Sequence, residues 1–216
     1  MSDIKIGRMV LSICQTNCYY IYREGKKDEN GMTEVLLIDP ADRGAQIYEA
    51  LSQKGFRVGA ILLTHGHFDH IWGANELRRL SGAKIHAFEG ERELCEDAQR
   101  NVSAQAGRPE TVQADFYEKD GSLLEIAGFR LKLIATPGHT GGSCCYYLEE
   151  EKLLFSGDTL FEGSVGRTDF PTGSMSSLVR SIREKLFVLP EDVIVYPGHG
   201  DTTTIGDEKK YNPYCQ

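Results

Sequence analysis

Between Thr64 and His70 the chain reads Thr-His-Gly-His-Phe-Asp-His, placing four metal-capable side chains within six positions. Neutral imidazole and carboxylate are the ligands that divalent Zn, Fe and Mn accept, and three histidines this close rarely serve packing alone. With 6 His in 216 residues, a chance H-x-H-x-D-H is expected on the order of 10⁻⁴ to 10⁻³ times per chain. Alternate residues of an extended segment point the same way, so His65 and His67 can converge on one ion. Asp69 and His70 are adjacent and reach a common point only where the chain turns, most simply into a helix over Ile71–Leu80. The spacing therefore suggests two ions. The apolar run Val58–Leu63 just before has strand length, which puts the ligands on the loop beyond a buried strand, a favoured place for active sites on α/β scaffolds.

The rest of the pattern supplies the frame. Strands are predicted over Ile4–Ser12, Asn17–Tyr22 and Val35–Ile38, then a helix over Arg43–Lys54 and a short strand over Lys84–Phe88. The polar run Glu89–Gln113 contains helical pieces without clear periodicity and is left unassigned. Hairpins follow over Ser122–Ile126 and Phe129–Ile134, turned at Ala127-Gly128, and over Ser143–Leu148 and Lys152–Phe155. In the first of these, Phe129, Leu131 and Leu133 share one face. A helix over Ser176–Leu186 and a last strand over Val193–Tyr196 complete two similar halves. Strand clusters interleaved with helices in this way predict an α/β (α+β) fold of two packed sheets covered outside by helices.

Composition narrows the function classes. A length of 216 residues suits a single domain spanning 1–216. The net charge of −8 disfavours nucleic acid and other polyanions and suits a small-molecule substrate. No apolar run approaches the length of a membrane span, and Met1–Lys5 does not begin a signal peptide, so no membrane association and a cytoplasmic setting are expected. Six Cys (14, 18, 95, 144, 145, 215) form no C-x-x-C pair and read as reduced thiols, with Cys144 and Cys145 facing opposite sides of a strand. The sequon Asn101-Val102-Ser103 then carries no glycan.

Three further loops follow apolar strands: Thr136-Pro137-Gly138-His139-Thr140, Ser156-Gly157-Asp158-Thr159 and Tyr196-Pro197-Gly198-His199-Gly200. Five of the six histidines thus fall on such loops, and Gly and Pro fix the backbone where an ion must be approached. His86, in a strand away from any such loop, reads as structural. The ordered set of H-x-H-x-D-H, His after T-P-G, Asp after S-G and His in P-G-H-G resembles the metallo-β-lactamase superfamily over nearly the whole chain. Within it the chain looks most like glyoxalase II-type (hydroxyacylglutathione hydrolase-like) enzymes. The resemblance implies an αββα sandwich with His65, His67 and His139 on one metal, Asp69, His70 and His199 on the other, Asp158 bridging, and Asp39 supporting the metal loop. Zn is the expected metal, with Fe or Mn as alternatives. Full-length glyoxalase II enzymes carry a C-terminal helical domain that grips glutathione, whereas 17 residues follow His199 here. The ending Thr203–Gly206 with Asn212-Pro213, and Gly163–Pro171, are similar to the short bacterial subclass. A Gly-Arg-Thr-Asp-Phe segment, here Gly166–Phe170, also occurs in related persulfide dioxygenases, which bind a single iron.

Two ions sharing one water lower its pKa to about 7 and supply hydroxide at neutral pH; with it, Asp69 and Asp158 are the candidate catalytic groups. A thiol with a pKa of about 8.5 leaves without protonation, which suits thioesters better than amides. A small-molecule S-acyl thiol such as S-lactoylglutathione is therefore the expected substrate, held by the segment 89–121 and the loop Phe161–Pro171. Arg167 and Asp169 either clamp a substrate carboxylate or pair to brace their loop. The rivals are a mononuclear iron persulfide dioxygenase using His65, His67, His139 and Asp158, and a metal-stabilised scaffold without catalysis. Of the branches sharing the fold, acidity opposes nucleases and the missing secretion signal opposes lactamases.

Overall fold

The computed structural model describes residues 4–215. Its first half builds a six-stranded sheet in chain order: β1 (Ile4–Leu11), β2 (Thr16–Arg23), β3 (Thr33–Ile38), β4 (Phe56–Leu62), β5 (Lys84–Phe88) and β6 (Phe116–Glu118). β1 to β3 pair antiparallel, and β3 to β6 run parallel. Parallel neighbours need crossovers. Helix α1 (Gly44–Gln53) joins β3 to β4, while α2 (Phe68–Ile71) and α3 (Ala74–Ser81) join β4 to β5. A 3₁₀ turn over Glu89–Glu91 and helix α4 (Arg92–Cys95) follow β5.

The second half repeats the plan. β7 (Leu123–Ile126), β8 (Phe129–Ala135), β9 (Cys144–Leu148) and β10 (Leu153–Gly157) form an antiparallel meander. After the small hairpin β11 (Leu160–Phe161) and β12 (Ser164–Val165) comes α5 (Met175–Ser181), continued by a π-helical turn over Ile182–Leu186. β13 (Ile194–Pro197) then returns parallel to β10, β14 (Thr203–Thr204) pairs with β13, and α6 (Ile205–Tyr211) follows.

The period-2 alternation of each strand sorts its side chains into layers. On β3, Val35 and Leu37 join Ile47, Leu51 and Leu77 beneath the outer helices α1 and α3. Leu36 and Ile38 instead meet Phe129, Leu131, Leu133 and Tyr146 between the sheets. Beyond the second sheet, Tyr147, Leu154 and Val195 pack against Leu178, Ile182 and Leu186 of α5 and its extension. The result is an αββα sandwich. Cys144 lies in the inter-sheet layer and Cys145 in the outer one, as alternation requires; all six cysteines are unpaired. Among the described residues no helix is long and apolar enough to cross a membrane.

Three local readings change. The helix expected over Ile71–Leu80 is two helices, the first starting at Phe68, because Gly73 is pressed against another segment. Its N–H reaches the Pro40 carbonyl at 2.8 Å, and a Cβ there would lie 2.7 Å from the same oxygen. The unassigned run after Phe88 supplies α4 and the edge strand β6. Finally, β14 and α6 extend the chain's regular structure past the last strand expected, with the Thr204 hydroxyl capping α6 by accepting from the Asp207 N–H.

Candidate metal centre

β4, β8, β10 and β13 end at Leu62, Ala135, Gly157 and Pro197, each directly before one of the polar loops. Those loops meet at one edge of the sandwich. His67 Nδ1 lies 2.8 Å from His139 Nε2, which is 3.2 Å from His65 Nε2. Beside this trio, Asp69 Oδ2 lies 3.7 Å from His70 Nε2 and 3.3 Å from His199 Nε2. Asp158 faces both groups: Oδ2 is 3.6 Å from His139 Nε2 and 3.4 Å from His199 Nε2, and Oδ1 is 3.4 Å from His70 Nε2. All seven residues singled out from the sequence are therefore brought together, with only Asp158 and His199 partly exposed.

The donor set fits cations. Nitrogens bound to one tetrahedral ion at about 2.0–2.1 Å lie about 3.3 Å apart, close to the spacing of the trio. His70 Nε2 and Asp158 Oδ1 are buried without a hydrogen-bond partner, as is His67 Nε2. The first two face each other, and stranding such atoms costs about 1–3 kcal/mol apiece; a shared cation satisfies both. His67 turns Nδ1 inward; in the cluster's other four histidines the outward Nδ1 is held by an oxygen, which fixes the tautomer that leaves Nε2 free. His139 Nδ1 donates to the Arg167 carbonyl at 2.7 Å, His199 Nδ1 to the Cys14 carbonyl at 3.1 Å, and His65 Nδ1 to the Thr64 hydroxyl at 3.1 Å. That hydroxyl in turn donates to Asp39 Oδ2 at 2.6 Å, and His70 Nδ1 donates to the same oxygen at 2.9 Å. Asp39 Oδ1 accepts from Thr64 N–H at 2.8 Å. Asp39 also lies close enough to His65 and His70 to form a ligand triad, but its oxygens are already engaged, which makes it a support.

Electrostatics divide the centre. Burial holds His65 well below the usual imidazole range, brings His67 down to about 3 and lowers His139, so these three are neutral and ready to ligate. Burial opposes charge on Asp69 and Asp158 too. It is outweighed by the charge of His70 and the donors on His199, which bring Asp69 to about 2 and Asp158 well below its ordinary value. Conversely, Asp158, Asp69 and Asp39 overcome burial to lift His70 well above its usual value, and bonds to Asp158 and Asp69 lift His199 to about 9. Two ionised carboxylates here attract positive charge, whether carried by protons or by a metal.

A profile of the metallo-beta-lactamase superfamily matches residues 11–199. The chain belongs to that superfamily. Members similar to it include the "probable metallo-hydrolase" YqgX of Bacillus subtilis, 35% identical over 98% of this chain and 97% of that one. The hydroxyacylglutathione hydrolase GloC of Haemophilus influenzae is 32% identical over 93% and 92% of the two chains. Among solved structures, the B3 metallo-beta-lactamase BLEG-1 superposes with a TM-score of 0.90 at 37% identity, covering 98% of this chain and 99% of that one. TTHA1623 in a di-iron-bound form gives 0.80 at 32% identity, covering 96% and 99%. As a metallo-beta-lactamase superfamily chain, this one has the fold, the metallo-hydrolase class and a His/Asp cluster for a dinuclear centre.

Around the cluster, Phe170 meets His67 edge-on with ring centroids 5.5 Å apart, and Phe161 meets His199 at 6.1 Å. Arg167 spends its fork on Asp169, with two bonds of 2.7 Å, and lies 3.8 Å over the Phe170 ring. The bracing role is thus the one its geometry displays. His86 bonds Glu118 Oε1 at 3.0 Å, away from the cluster. Sequence reasoning missed Thr16, whose buried hydroxyl donates to Asp69 Oδ2 at 2.8 Å. It also missed Glu91, buried behind the ligand loops; neither carries a motif that marks it.

Proposed function

We propose that the protein is a thioester hydrolase acting on S-acyl thiols of the S-lactoylglutathione type. The reading assigns His65, His67 and His139 to one ion, Asp69, His70 and His199 to a second, and Asp158 to both, with zinc as the metal and iron or manganese as alternatives. The observation that carries it is the placement of Asp158 between two complete ligand groups. When bound, such a pair of ions acts as a Lewis acid and lowers the pKa of a shared water.

The chain's own residues contribute position and surroundings. Asp158 and Asp69 hold their charge through His70 and His199, and Phe161 and Phe170 give the site apolar walls. Arg167 is occupied by Asp169, so neither it nor the rings of Phe161 and Phe170 offers a proton to a leaving amine. A thiolate, with a parent pKa of about 8.5, needs none. The similarity to GloC points the same way. Unpaired cysteines accord with a reducing, cytoplasmic setting.

The test combines metal analysis with a substrate panel. Purified protein should hold close to two ions per chain. Zinc-loaded protein should cleave S-lactoylglutathione or coenzyme A thioesters, since zinc has no redox chemistry. Oxygen uptake with glutathione persulfide on iron-loaded protein, without thioester cleavage, would establish the dioxygenase instead. Cleavage confined to a β-lactam would establish a lactamase, and full metal without turnover a scaffold.

A further inference from the structure

Glu91 is a carboxylate that the chain buries almost completely, at 1% exposure, in the 3₁₀ turn after β5. Its oxygens accept from two loops that are far apart in sequence. Oε1 takes the N–H of Gly66 at 2.9 Å, and Oε2 takes the hydroxyl of Thr140 at 3.0 Å. Gly66 lies between His65 and His67, and Thr140 follows His139. One side chain is therefore fastened to both loops that carry the three-histidine group, and through it the loop after β4 is tied to the loop after β8.

Packing repeats the connection. A Cβ on Gly66 would lie 2.8 Å from Cys95 Sγ and 2.9 Å from Leu94, and one on Gly142 would lie 2.3 Å from the Gly90 carbonyl and 2.4 Å from the Glu91 nitrogen. The turn is thus wedged against both loops with no room for slack. The hydrogen-bond directions are also set. Thr140 N–H donates to the Ser143 hydroxyl at 3.0 Å, and the Thr140 and Ser143 hydroxyls are 2.6 Å apart, so Ser143 can donate to Thr140 while Thr140 donates to Glu91. Both carboxyl oxygens act as acceptors, which matches the donors arriving from Gly66 and Thr140.

We propose that Glu91 is a positioning residue for the three-histidine half of the centre, clamping the His65–His67 loop to the His139 loop and so setting the nitrogen spacing on which that ion's affinity depends. The proposal rests on the reading of these histidines as ligands and touches neither Asp69 nor His199. Supports of metal ligands typically change affinity 10–100-fold when removed.

The experiment measures stepwise zinc affinities by competition with a chromophoric chelator, and the visible spectrum of the cobalt(II)-loaded protein, in wild type, Glu91→Ala, Glu91→Gln and Thr140→Val. Glu91→Ala should weaken one of the two affinities about 10–100-fold, alter the cobalt spectrum and leave the other affinity unchanged. Glu91→Gln should recover most of the loss, since its carbonyl accepts from Gly66 and its amide donates to Thr140, whose hydroxyl then turns to Ser143. Thr140→Val, which removes one of the two bonds, should fall between, and it decides the matter should Glu91→Ala not fold. Wild-type affinities and spectrum in a folded Glu91→Ala or Thr140→Val would overturn the proposal, including the case where only the melting temperature falls. A wild-type protein that binds no ion removes the underlying reading, and the clamp with it, before any variant is compared.

Discussion

Thr16 offers the cleanest test of how single side chains tune the centre. Its buried hydroxyl donates to Asp69 Oδ2, the oxygen nearest His199, and a hydrogen bond to a charged acceptor contributes about 1.5–3 kcal/mol. Thr16→Val should therefore weaken the ion bound by Asp69, His70 and His199 roughly tenfold or more while sparing the other; equal weakening of both in a zinc titration would contradict this. Glu91 adds a pH signature. Burial, opposed by bonds from Gly66 and Thr140, lifts its carboxyl from 4.5 to about 7. Below about 4.5 it is protonated in both folded and unfolded chains and costs nothing. As pH rises from about 4.5 to 7 the unfolded chain ionises while the folded carboxyl keeps its proton, so stability is lost, and above about 7 the loss is complete. Relative to Glu91→Gln, metal-free wild type should lose about 3 kcal/mol across this window. Denaturant unfolding at several pH values checks it, and parallel curves for the two proteins would rule it out. The ligands were readable from sequence because rare residue types recur there at fixed spacing. Thr16 and Glu91 were not, since a threonine in Thr-Asn-Cys or a glutamate in Glu-Gly-Glu-Arg-Glu looks the same whether buried or solvated.

At the level of elements, the site is made by strand ends. Four strands terminate at one edge, and the loops beyond them turn tightly enough that Gly198 has no room for a side chain: a Cβ would lie 2.2 Å from Asp158 Oδ1 and 2.7 Å from His70 Cε1. Gly198→Ala should displace the Asp158 carboxylate, with metal affinity falling on the order of a hundredfold and far-UV circular dichroism unchanged; normal metal content would refute the assignment of Asp158. The hairpin at Ala127-Gly128 and the strand before His65 were legible because alternation and turn chemistry act locally. The break at Gly73 was not, because its cause is the Pro40 carbonyl from another segment. Segment 89–121 hid its order for a related reason. It is held by side chains bonding to backbone, as where Asn101 Nδ2 and Ser103 Oγ both reach the Glu110 carbonyl at 2.8 and 2.9 Å, and such bonds leave no periodic trace. Asn101 is fully buried and its carbonyl accepts from Phe68 N–H at 3.1 Å, bracing the start of α2. That burial also leaves the sequon without a place for a glycan.

Across the whole molecule, the first sheet's half supplies His65, His67, Asp69 and His70, and the second supplies His139, Asp158 and His199, so bound ions would join the two halves. Whether the fold depends on that junction is decided by what else crosses it. Asn17 N–H reaches the Gly198 carbonyl at 2.7 Å, its side chain and the Tyr19 hydroxyl reach the Pro197 carbonyl at 2.9 and 3.0 Å, and the Tyr146 hydroxyl reaches the Leu63 carbonyl at 3.0 Å. With Ile38, Leu62, Phe129 and Tyr146 packed in the inter-sheet layer, the halves are joined by a full hydrophobic core as well. Metal should therefore add to the stability of a preformed sandwich, unlike a zinc finger, which is unfolded without its ion. At free metal about 1,000 times the dissociation constant, one ion contributes about 4 kcal/mol. For a chain of this size each kcal/mol moves the melting temperature by about 2–4 °C. Chelation should accordingly lower the melting temperature on the order of 10 °C per ion lost, while the far-UV circular dichroism and cooperative unfolding of the chelated protein persist and added zinc restores the higher value. Loss of cooperative unfolding on chelation alone would show instead that the ions, and not the inter-sheet core, hold the two halves together.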